Sequence, residues 1–352
     1  MKNRLLSIIA PALIALFALS SCIRISLQST DSTADEAPVS FKIGWNGVEA
    51  PSRPDSVKIA MNQTLDAVRY FYSVDSEGAF PDTTARMASF GNYLILAFTT
   101  EGEDYTVSGL EGYPENATVS MRDFLATVKD LPTEDLNSLR DDSTLDFNAS
   151  YRFIRTPAAP LYAATLRESV SDIKANDYEM TMAPLLLSAT FRVGIVAEDG
   201  VSVDKVVAEV SGVPASVSIL SGETSLEDIA RVIFRMSAGE NGEYEATVLV
   251  PGLYPSENTK LTSGPGIFRL ALTATKDGVT KVLRPAINIG DIITSASIMQ
   301  TVSSSGGQKL SRTSAEIEIP GPLTVDGESF TSGSLGDGVE GWFDSGSVDV
   351  EI

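Results

Sequence analysis

Apolar and polar residues alternate along most of this chain with the period of two that β-strands require. In residues 39–45 every second side chain falls on one face, and residues 57–61 are expected to pair with them across the turn-rich segment 47–54. Gly, Pro, Asn and Ser clusters separate the runs, so the pattern predicts an all-β protein built from antiparallel β-sandwiches. The other clear runs are residues 92–100, 191–196, 268–275, 316–319 and 348–352.

One region departs from that period and predicts a helical insertion near residues 118–140. Ser120 and Asp123 have the spacing of a capping box, and Pro132 is expected to end the helix. A further helical turn is expected at residues 136–139. The apolar residues at helical spacing are Met121, Phe124, Leu125 and Val128.

The chain is long enough for about two domains. Residues 169–177 are polar and poor in strand pattern, so we place the boundary there and predict domains at 39–176 and 177–352. Residues 22–38 are rich in Ser, Thr and Asp and have no structural period. They are expected to form a flexible tether ahead of the first domain.

The start of the chain has the three-part layout of a secretory signal peptide. Lys2 and Arg4 precede an almost wholly apolar stretch at 5–19, and small residues then lead directly to Cys22. This ending resembles a bacterial lipobox, so the resemblance implies cleavage after residues 1–21 and lipidation of the cysteine. A transmembrane helix would need roughly 20 apolar residues, more than this stretch offers. Because Cys22 is the one cysteine of the chain, no intramolecular disulfide can form.

Charge and residue content remove several function classes. Lys and Arg total 26 against 47 for Asp and Glu, a net charge of -21, which argues against a nucleic-acid partner. The chain has no histidine, the usual general base and transition-metal ligand. It has no Gly-x-Ser-x-Gly elbow and no P-loop. We therefore expect no enzymatic activity, no cofactor and no metal site.

Three weaker patterns receive ordinary explanations. Residues 336–341 have the glycine spacing of a dinucleotide fingerprint, but no helix pattern follows, so a loop is favoured. The carboxylate pair Asp141 and Asp142 is expected to be solvated rather than catalytic. Trp45 is expected to pack in the core, whereas Trp342 is the best candidate for an exposed aromatic that binds a ligand.

The order of short landmarks along the chain resembles the fimbrillin-like lipoproteins of Bacteroidetes, related to type V pili, and in particular a family of uncharacterised function within that group. The landmarks are residues 19–22, 41–45, 151–164, 187–196, 207–213, 341–342 and 348–352. The resemblance implies two tandem transthyretin-like antiparallel β-sandwich domains, with the helical insertion in the first. It also implies a role in surface fimbriae or adhesion.

In type V pili, an arginine-specific protease removes the first strand of a subunit, and a neighbour's donor strand fills the groove by β-strand addition. The resemblance therefore implies other fimbrial subunits as partners. Val348, Val350 and Ile352 suit either a donor strand or an ordinary last strand, and the ordinary last strand is favoured. Here the arginine after the first strand is Arg53, and Pro54 would resist cleavage. We therefore expect an anchor or accessory subunit.

The resemblance also implies attachment to the outer membrane through lipid on Cys22. Surface lipoproteins of this phylum often carry acidic residues directly after the cysteine, whereas here residues 23–26 are Ile-Arg-Ile-Ser and Asp31 comes later. The cell surface is favoured over the periplasmic face. The alternative function is a surface glycan-binding lipoprotein of a saccharide import system, which would need exposed aromatic platforms. An enzyme with a carboxylate-only mechanism comes third.

Overall fold

The computed structural model describes residues 35–65, 68–100, 102–116, 118–141, 152–172, 175–256 and 264–326. Within these ranges the chain is mostly β-strand, which confirms the all-β prediction, and its helices are limited to two short ones. The helices are α1 (Thr133–Asp141) and α2 (Gly290–Ser295), and there are single 3₁₀ turns at Ala50–Ser52, Met121–Asp123 and Glu240–Gly242.

The strands follow the predicted runs closely. In chain order they are β1 (Glu36–Trp45), β2 (Ser56–Gln63), β3 (Arg69–Asp75), β4 (Arg86–Ser89), β5 (Gly91–Phe98), β6 (Tyr105–Ser108), β7 (Leu125–Val128), β8 (Tyr162–Val170), β9 (Asp177–Pro184), β10 (Leu187–Ala197), β11 (Val201–Pro214), β12 (Ser216–Ser218), β13 (Glu223–Thr224), β14 (Ile229–Ala238), β15 (Glu243–Val250), β16 (Ile267–Lys276), β17 (Val279–Leu283), β18 (Ala286–Asn288), β19 (Met299–Thr301), β20 (Gln308–Leu310), β21 (Ser314–Glu318) and β22 (Leu323–Val325).

The first sheet has the strand order β3-β2-β5-β8-β9-β1-β4. The expected pairing of its first strand with the next one along the chain is wrong. Instead β1 pairs in parallel with β9, and β2 pairs with β3 and β5. A strand pattern reveals which face is buried but not which strand lies alongside, and here the partner of β1 is more than 130 residues away in the chain.

The change from the first sheet to the second comes later than the predicted domain boundary. Asp177–Pro184, which was assigned to the second domain, is a strand of the first sheet, and the second sheet begins with β10 at Leu187. The polar stretch before Asp177 is a connection between two strands of one sheet. Asn176 occupies that connection and exchanges hydrogen bonds with Ser171.

The second sheet follows the order β17-β16-β11-β14-β15-β10-β21, and its path bends within β14. This strand pairs with β11 along most of its length, but its last residues, Ser237 and Ala238, pair with β15. The rings of Phe191 on β10 and Phe268 on β16 stack with centroids 5.5 Å apart, although their strands are far apart along the path. The two arms of the sheet therefore pack face to face as a sandwich.

A third sheet, with the order β19-β20-β13-β12-β7-β6, draws on both halves of the chain. It includes Leu125–Val128, whose spacing predicted a helix, and that prediction is wrong for these residues. The capping box at Ser120 and Asp123 does form, but it caps a single 3₁₀ turn. Pairing of β7 with β6 and β12 then holds the following residues extended, because ladder partners from elsewhere outweigh local helical spacing.

The remaining expectations for this region meet mixed outcomes. Pro132 does not end a helix but directly precedes α1, where its missing amide hydrogen removes no helical hydrogen bond and its carbonyl accepts one from the Leu136 amide at 2.9 Å. The expected turn at residues 136–139 lies in that helix.

The predicted tether ends earlier than expected, since β1 begins at Glu36. The sandwiches are not wholly antiparallel, because β1 pairs in parallel with β9, and β10 pairs in parallel with β21 and β22.

The described residues from Ala37 onward form one compact unit with two large apolar cores. The main core runs through all three sheets and contains Phe98, Phe124, Phe191 and Phe268. The first-sheet core lies on the other face of β5 and contains Ile95 together with the inward residues of β1. Both faces of β5 are therefore buried, which explains its nearly continuous apolar sequence. No helix among the described residues is long and apolar enough to span a membrane.

Candidate strand-exchange site

The N-terminal strand β1 fills a groove of the first sheet between β9 and β4. Its burial alternates strictly along most of its length, as the sequence pattern predicts. Exposure of the inward side chains is at most 9% for each of Ala37, Val39, Phe41, Ile43 and Trp45. Each inward side chain belongs to the first-sheet core, so removing β1 would open five apolar positions to water.

Aromatic rings line the middle of the groove. Phe41 contacts Tyr72, Phe80 and Tyr178, with ring centroids 5.9–6.1 Å apart. At the end of the strand, Trp45 meets Tyr162 edge to face with centroids 5.2 Å apart. Such tilted and edge-to-face pairs add stabilisation beyond the area that they bury. The predicted core role of Trp45 is therefore confirmed.

Main-chain hydrogen bonds hold β1 from both sides. The parallel ladder runs from Ser40 opposite Asp177 to Trp45 opposite Met182. On the other side, the Ile43 amide donates to the Glu77 carbonyl at 3.0 Å. The indole Nε1 of Trp45 donates to the Ser76 carbonyl at 2.6 Å, which satisfies its buried polar atom.

A glycine allows the chain of the β3–β4 connection to approach β1 closely. Gly78 has a φ of +100°, and a Cβ atom there would lie 2.5 Å from the carbonyl oxygen of Phe41. Both the backbone angle and the contact exclude a side chain. The groove is therefore shaped by backbone as well as by side chains.

Electrostatic contacts contribute little to holding β1. Lys42 forms an ion pair with Glu179 at 3.0 Å, but both side chains are about two-thirds exposed or more. Exposed pairs of this kind contribute about 0–1 kcal/mol. Ser40 also donates to the Asp177 carboxylate. Burial of apolar surface and main-chain bonding therefore dominate the attachment of the strand.

Burial has altered the acidity of the phenols around the groove. Burial, with a smaller effect from the charge of Glu168, raises the pKa of Tyr178 to about 12. Burial likewise raises the pKa of Tyr93. These two phenols therefore stay protonated near neutral pH.

The loop after β1 carries Arg53, the arginine that Pro54 is expected to protect from cleavage. A 3₁₀ turn at Ala50–Ser52 lies within this loop, and the Arg53 amide donates to the Ala50 carbonyl at 3.2 Å. Its side-chain Nε donates to the Val48 carbonyl at 3.1 Å, and the side chain is half-buried. Pro54 follows directly. These two hydrogen bonds of Arg53 would have to break before the loop could enter the active site of a protease.

The structure leaves several predicted site residues untested, because they lie outside the described residues. These are Cys22, Asp142, the glycine-rich residues 336–341, Trp342, Val348, Val350 and Ile352. The residues of β9 that form one wall of the groove were not predicted as part of a site. Their signal was present, since Tyr178, Met180 and Met182 alternate with polar residues, but alternation does not name the neighbouring strand.

Among the described residues, no cluster of three or more Cys, Asp or Glu side chains is placed to hold a metal ion. The described part of the chain also has no large aromatic side chain in the exposed class, where the exposed large apolar residues are aliphatic.

No protein-family model matches the chain, and no curated protein sequence matches it. Solved structures do resemble its fold. A candidate adhesin from Bacteroides ovatus has a TM-score of 0.51 and 15% identity, with 84% of this chain and 94% of the other covered. At this identity the likeness concerns the fold alone.

Two looser matches are a candidate polysaccharide-binding protein from Bacteroides thetaiotaomicron and the fimbrial anchor protein Mfa2 from Porphyromonas gingivalis. The first has a TM-score of 0.46 at 12% identity, with 83% of this chain and 92% of the other covered. The second has a TM-score of 0.41 at 12% identity, with coverages of 82% and 91%. With TM-scores below 0.5, these two similarities support no conclusion about this chain.

Proposed function

We propose that this protein is a lipid-anchored outer-membrane protein of fimbrial or adhesive type that keeps its first strand, as an anchor or accessory subunit does. Cys22 would carry the lipid, and the two sandwiches would be tandem transthyretin-like domains. The protein would end or support a fimbria instead of forming its repeating shaft. Its partners would be other fimbrial subunits that contact it by β-strand addition.

The observation that carries this proposal is the seating of β1. The strand has five inward side chains in the first-sheet core and lies between two hydrogen-bonded neighbours. A polymerising subunit must lose its first strand so that a donor can enter. A strand this well buried, followed by Arg53 and Pro54, favours retention.

The fold likeness supports the same proposal independently. The structure from Bacteroides ovatus is described as a candidate adhesin, and most of both chains takes part in the match. A shared fold alone does not transfer a function. It agrees, however, with the resemblance that the sequence landmarks carry and with a site that binds a strand.

Mass spectrometry of the mature protein, purified from the outer membrane of its own host, tests the proposal. We expect a lipidated N-terminus at Cys22 and an intact chain through Arg53. A mature N-terminus at Pro54, or elsewhere between β1 and β2, would show that the first strand is lost. The protein would then be a polymerising subunit, and the anchor proposal would be wrong.

Digestion of the purified protein with an arginine-specific protease separates the contribution of the proline from that of the fold. We expect no cut after Arg53 in the natural chain and a cut there in Pro54→Ala. The matched control combines Pro54→Ala with Arg53→Gln and should lose that cut. Rapid cleavage after Arg53 in the natural protein would contradict the proposed retention of β1.

Glycan binding stays an alternative proposal, because Trp342 lies outside the described residues. Trp45 is buried and the described aromatics are at most half-exposed, so they offer no platform for a sugar ring. Measurable saccharide affinity that Trp342→Ala abolishes would favour this alternative.

A further inference from the structure

Two Asn-Gly pairs occur in this chain, Asn46–Gly47 and Asn241–Gly242. An asparagine that precedes a glycine is prone to spontaneous deamidation, because the glycine amide nitrogen can attack the side-chain amide carbon and no Cβ atom hinders its approach. The attack requires the main chain between the two residues to rotate. The fold therefore decides which of the two pairs can react.

The pair Asn46–Gly47 lies in the connection that leaves β1. Both residues are exposed, and they follow directly after Trp45, the last residue of the strand. Among the residues that the structure describes, neither the Asn46 side chain nor the Gly47 amide has a hydrogen-bond partner. The side-chain carbon that is attacked and the nitrogen that attacks it are therefore both accessible.

The main chain at Gly47 also has room to move. Its φ is +74°, and a Cβ atom placed there would meet no atom within 4 Å. The peptide can therefore rotate without a clash while a five-membered ring closes. The connection is held at the following residue, where the Val48 carbonyl accepts a hydrogen bond from the Nε of Arg53 at 3.1 Å.

The pair Asn241–Gly242 is held more tightly. It belongs to the 3₁₀ turn Glu240–Gly242, and the Gly239 amide donates to the Glu243 carbonyl at 2.7 Å across the base of that turn. A Cβ atom on its glycine would lie 2.7 Å from the carbonyl oxygen of Ile195, so the main chain packs directly against β10. The turn and the neighbouring strand therefore both oppose rotation of this peptide.

We propose that Asn46 is a site of spontaneous deamidation in the folded protein, whereas the fold protects Asn241. The Gly47 amide nitrogen forms a bond to Cγ of Asn46, the Cγ–Nδ2 bond breaks, and the amide proton leaves with Nδ2 as ammonia. Water then opens the succinimide that results. Addition of water at Cγ gives an aspartate with the ordinary peptide bond, and addition at the main-chain carbonyl carbon gives an isoaspartate.

The reaction changes the connection between β1 and β2 in two ways. Either product has a carboxylate in place of a neutral amide, so each modified molecule gains a negative charge near neutral pH. An isoaspartate also lengthens the main chain by a carbon atom in the connection that carries Arg53. The inward side chains of β1 all precede this point, and the reaction leaves their burial intact. The inference is independent of the proposed fimbrial role.

Peptide mapping by mass spectrometry, over a time course with the mature full-length protein, measures both sites. Replacement of an amide by a carboxyl group adds about 1 Da. We expect this gain at Asn46 in the folded protein, faster at about pH 9 than at about pH 6, because the attacking nitrogen must lose its proton. Asn241 should gain the mass much more slowly. In concentrated urea, where the fold is lost, the two sites should react at similar rates.

Two variants test the chemistry at this position. Asn46→Gln should lose the mass gain, since a glutamine would have to close a larger ring. Gly47→Ala keeps the asparagine but places a methyl group beside the attacking nitrogen, and it should slow the reaction by roughly tenfold or more. An unchanged rate in Gly47→Ala would rule out the succinimide route and overturn the proposal.

The comparison of folded and unfolded protein decides whether the fold selects the site. If Asn46 stays unmodified in the folded protein but reacts in urea, the fold protects this pair and the proposal fails. Equal rates at Asn46 and Asn241 in the folded protein would also overturn it, because the 3₁₀ turn would then give no protection.

Discussion

At the scale of single residues, the attachment of β1 depends on a few large inward side chains. Phe41 contacts three rings and is 7% exposed, whereas its neighbour Lys42 is exposed and forms only a surface ion pair. Burial of an aromatic ring outweighs an exposed ion pair by several fold in free energy. The alternation of apolar and polar residues along β1 predicts this difference between neighbouring positions.

We therefore predict that Phe41→Ala lowers the free energy of unfolding by about 3–5 kcal/mol. This loss of stability combines the free energy of burying the ring with the cost of the cavity left between Tyr72, Phe80 and Tyr178. Urea denaturation followed by circular dichroism measures it. Lys42→Ala is the matched control and should change stability by about 0–1 kcal/mol. Equal effects of the two substitutions would contradict the dominant role of apolar burial.

A second residue-scale prediction concerns Gly78. Gly78→Ala should destabilise the protein clearly more than Gly47→Ala, and the same denaturation experiment measures both. Both glycines have positive φ angles, so both substitutions carry backbone strain. At Gly47 a new Cβ would meet nothing within 4 Å, whereas at Gly78 it would meet the carbonyl of Phe41 at 2.5 Å. Similar losses at both positions would mean that the approach to β1 is less tight than the structure shows.

At the scale of elements, the segment around α1 has a role that its sequence did not reveal. Residues 129–131 and 152–155 hydrogen-bond to each other, and Ile154 and Arg231 join them to β14. Phe153 packs with Val207, Ile233 and Ala271 on the outer face of the second sheet. The predicted insertion of the first domain thus acts as a strap across the second sheet.

Beneath this strap lies a buried ion cluster. Glu209 is 2% exposed and pairs with Arg231 and, at 3.3 Å, with Arg269. We predict that Glu209→Ala lowers the free energy of unfolding by about 3–5 kcal/mol, because it leaves buried guanidinium groups without that carboxylate. Thermal denaturation measures the loss. Glu245→Ala, at an exposed carboxylate that pairs with Arg192, is the control and should cost about 0–1 kcal/mol.

Element by element, the sequence predicted strand positions well and strand partners poorly. The runs at 39–45 and 57–61 lie in strands, because alternation reports burial of one face, and the more continuously apolar run at 92–100 lies in a strand as far as Phe98. Residues 125–128 were expected to be helical because their apolar spacing was compatible with a helix. They form a strand because β6 and β12, which lie elsewhere in the chain, pair with them. The groove that holds β1 could not be predicted either, because its wall β9 is distant from β1 in the chain.

At the scale of the whole molecule, the main core passes through all three sheets, so the two predicted domains share packing. We predict that unfolding is one cooperative transition. Phe191→Ala, in the second sheet, should shift the unfolding midpoint reported by Trp45 fluorescence in the first sheet, in a Trp342→Phe background. A change seen only by probes of the second sheet would show that the halves unfold separately.

The pH dependence of stability is also a property of the whole molecule. Tyr178 has a pKa of about 12 in the fold, above the ordinary value near 10 that an unfolded chain would show, and other buried phenols are shifted in the same direction. The folded state therefore holds these protons more tightly. Their contribution is fully present below pH 10 and is lost as pH rises from 10 towards 12. Urea midpoints at pH 8 and pH 11 should differ, with the lower midpoint at pH 11. A midpoint that is unchanged or higher at pH 11 would contradict this account.

The sequence by itself determined the all-β class of fold and the faces of the strands that are buried. These properties follow from the local alternation of apolar and polar residues along the chain. Only the tertiary structure decided which strands pair: β1 with β9, β7 with β12, and the tail end β22 with β10. The physical reason is that a strand's side chains encode burial with a period of two, whereas its main-chain hydrogen bonds are the same for every partner.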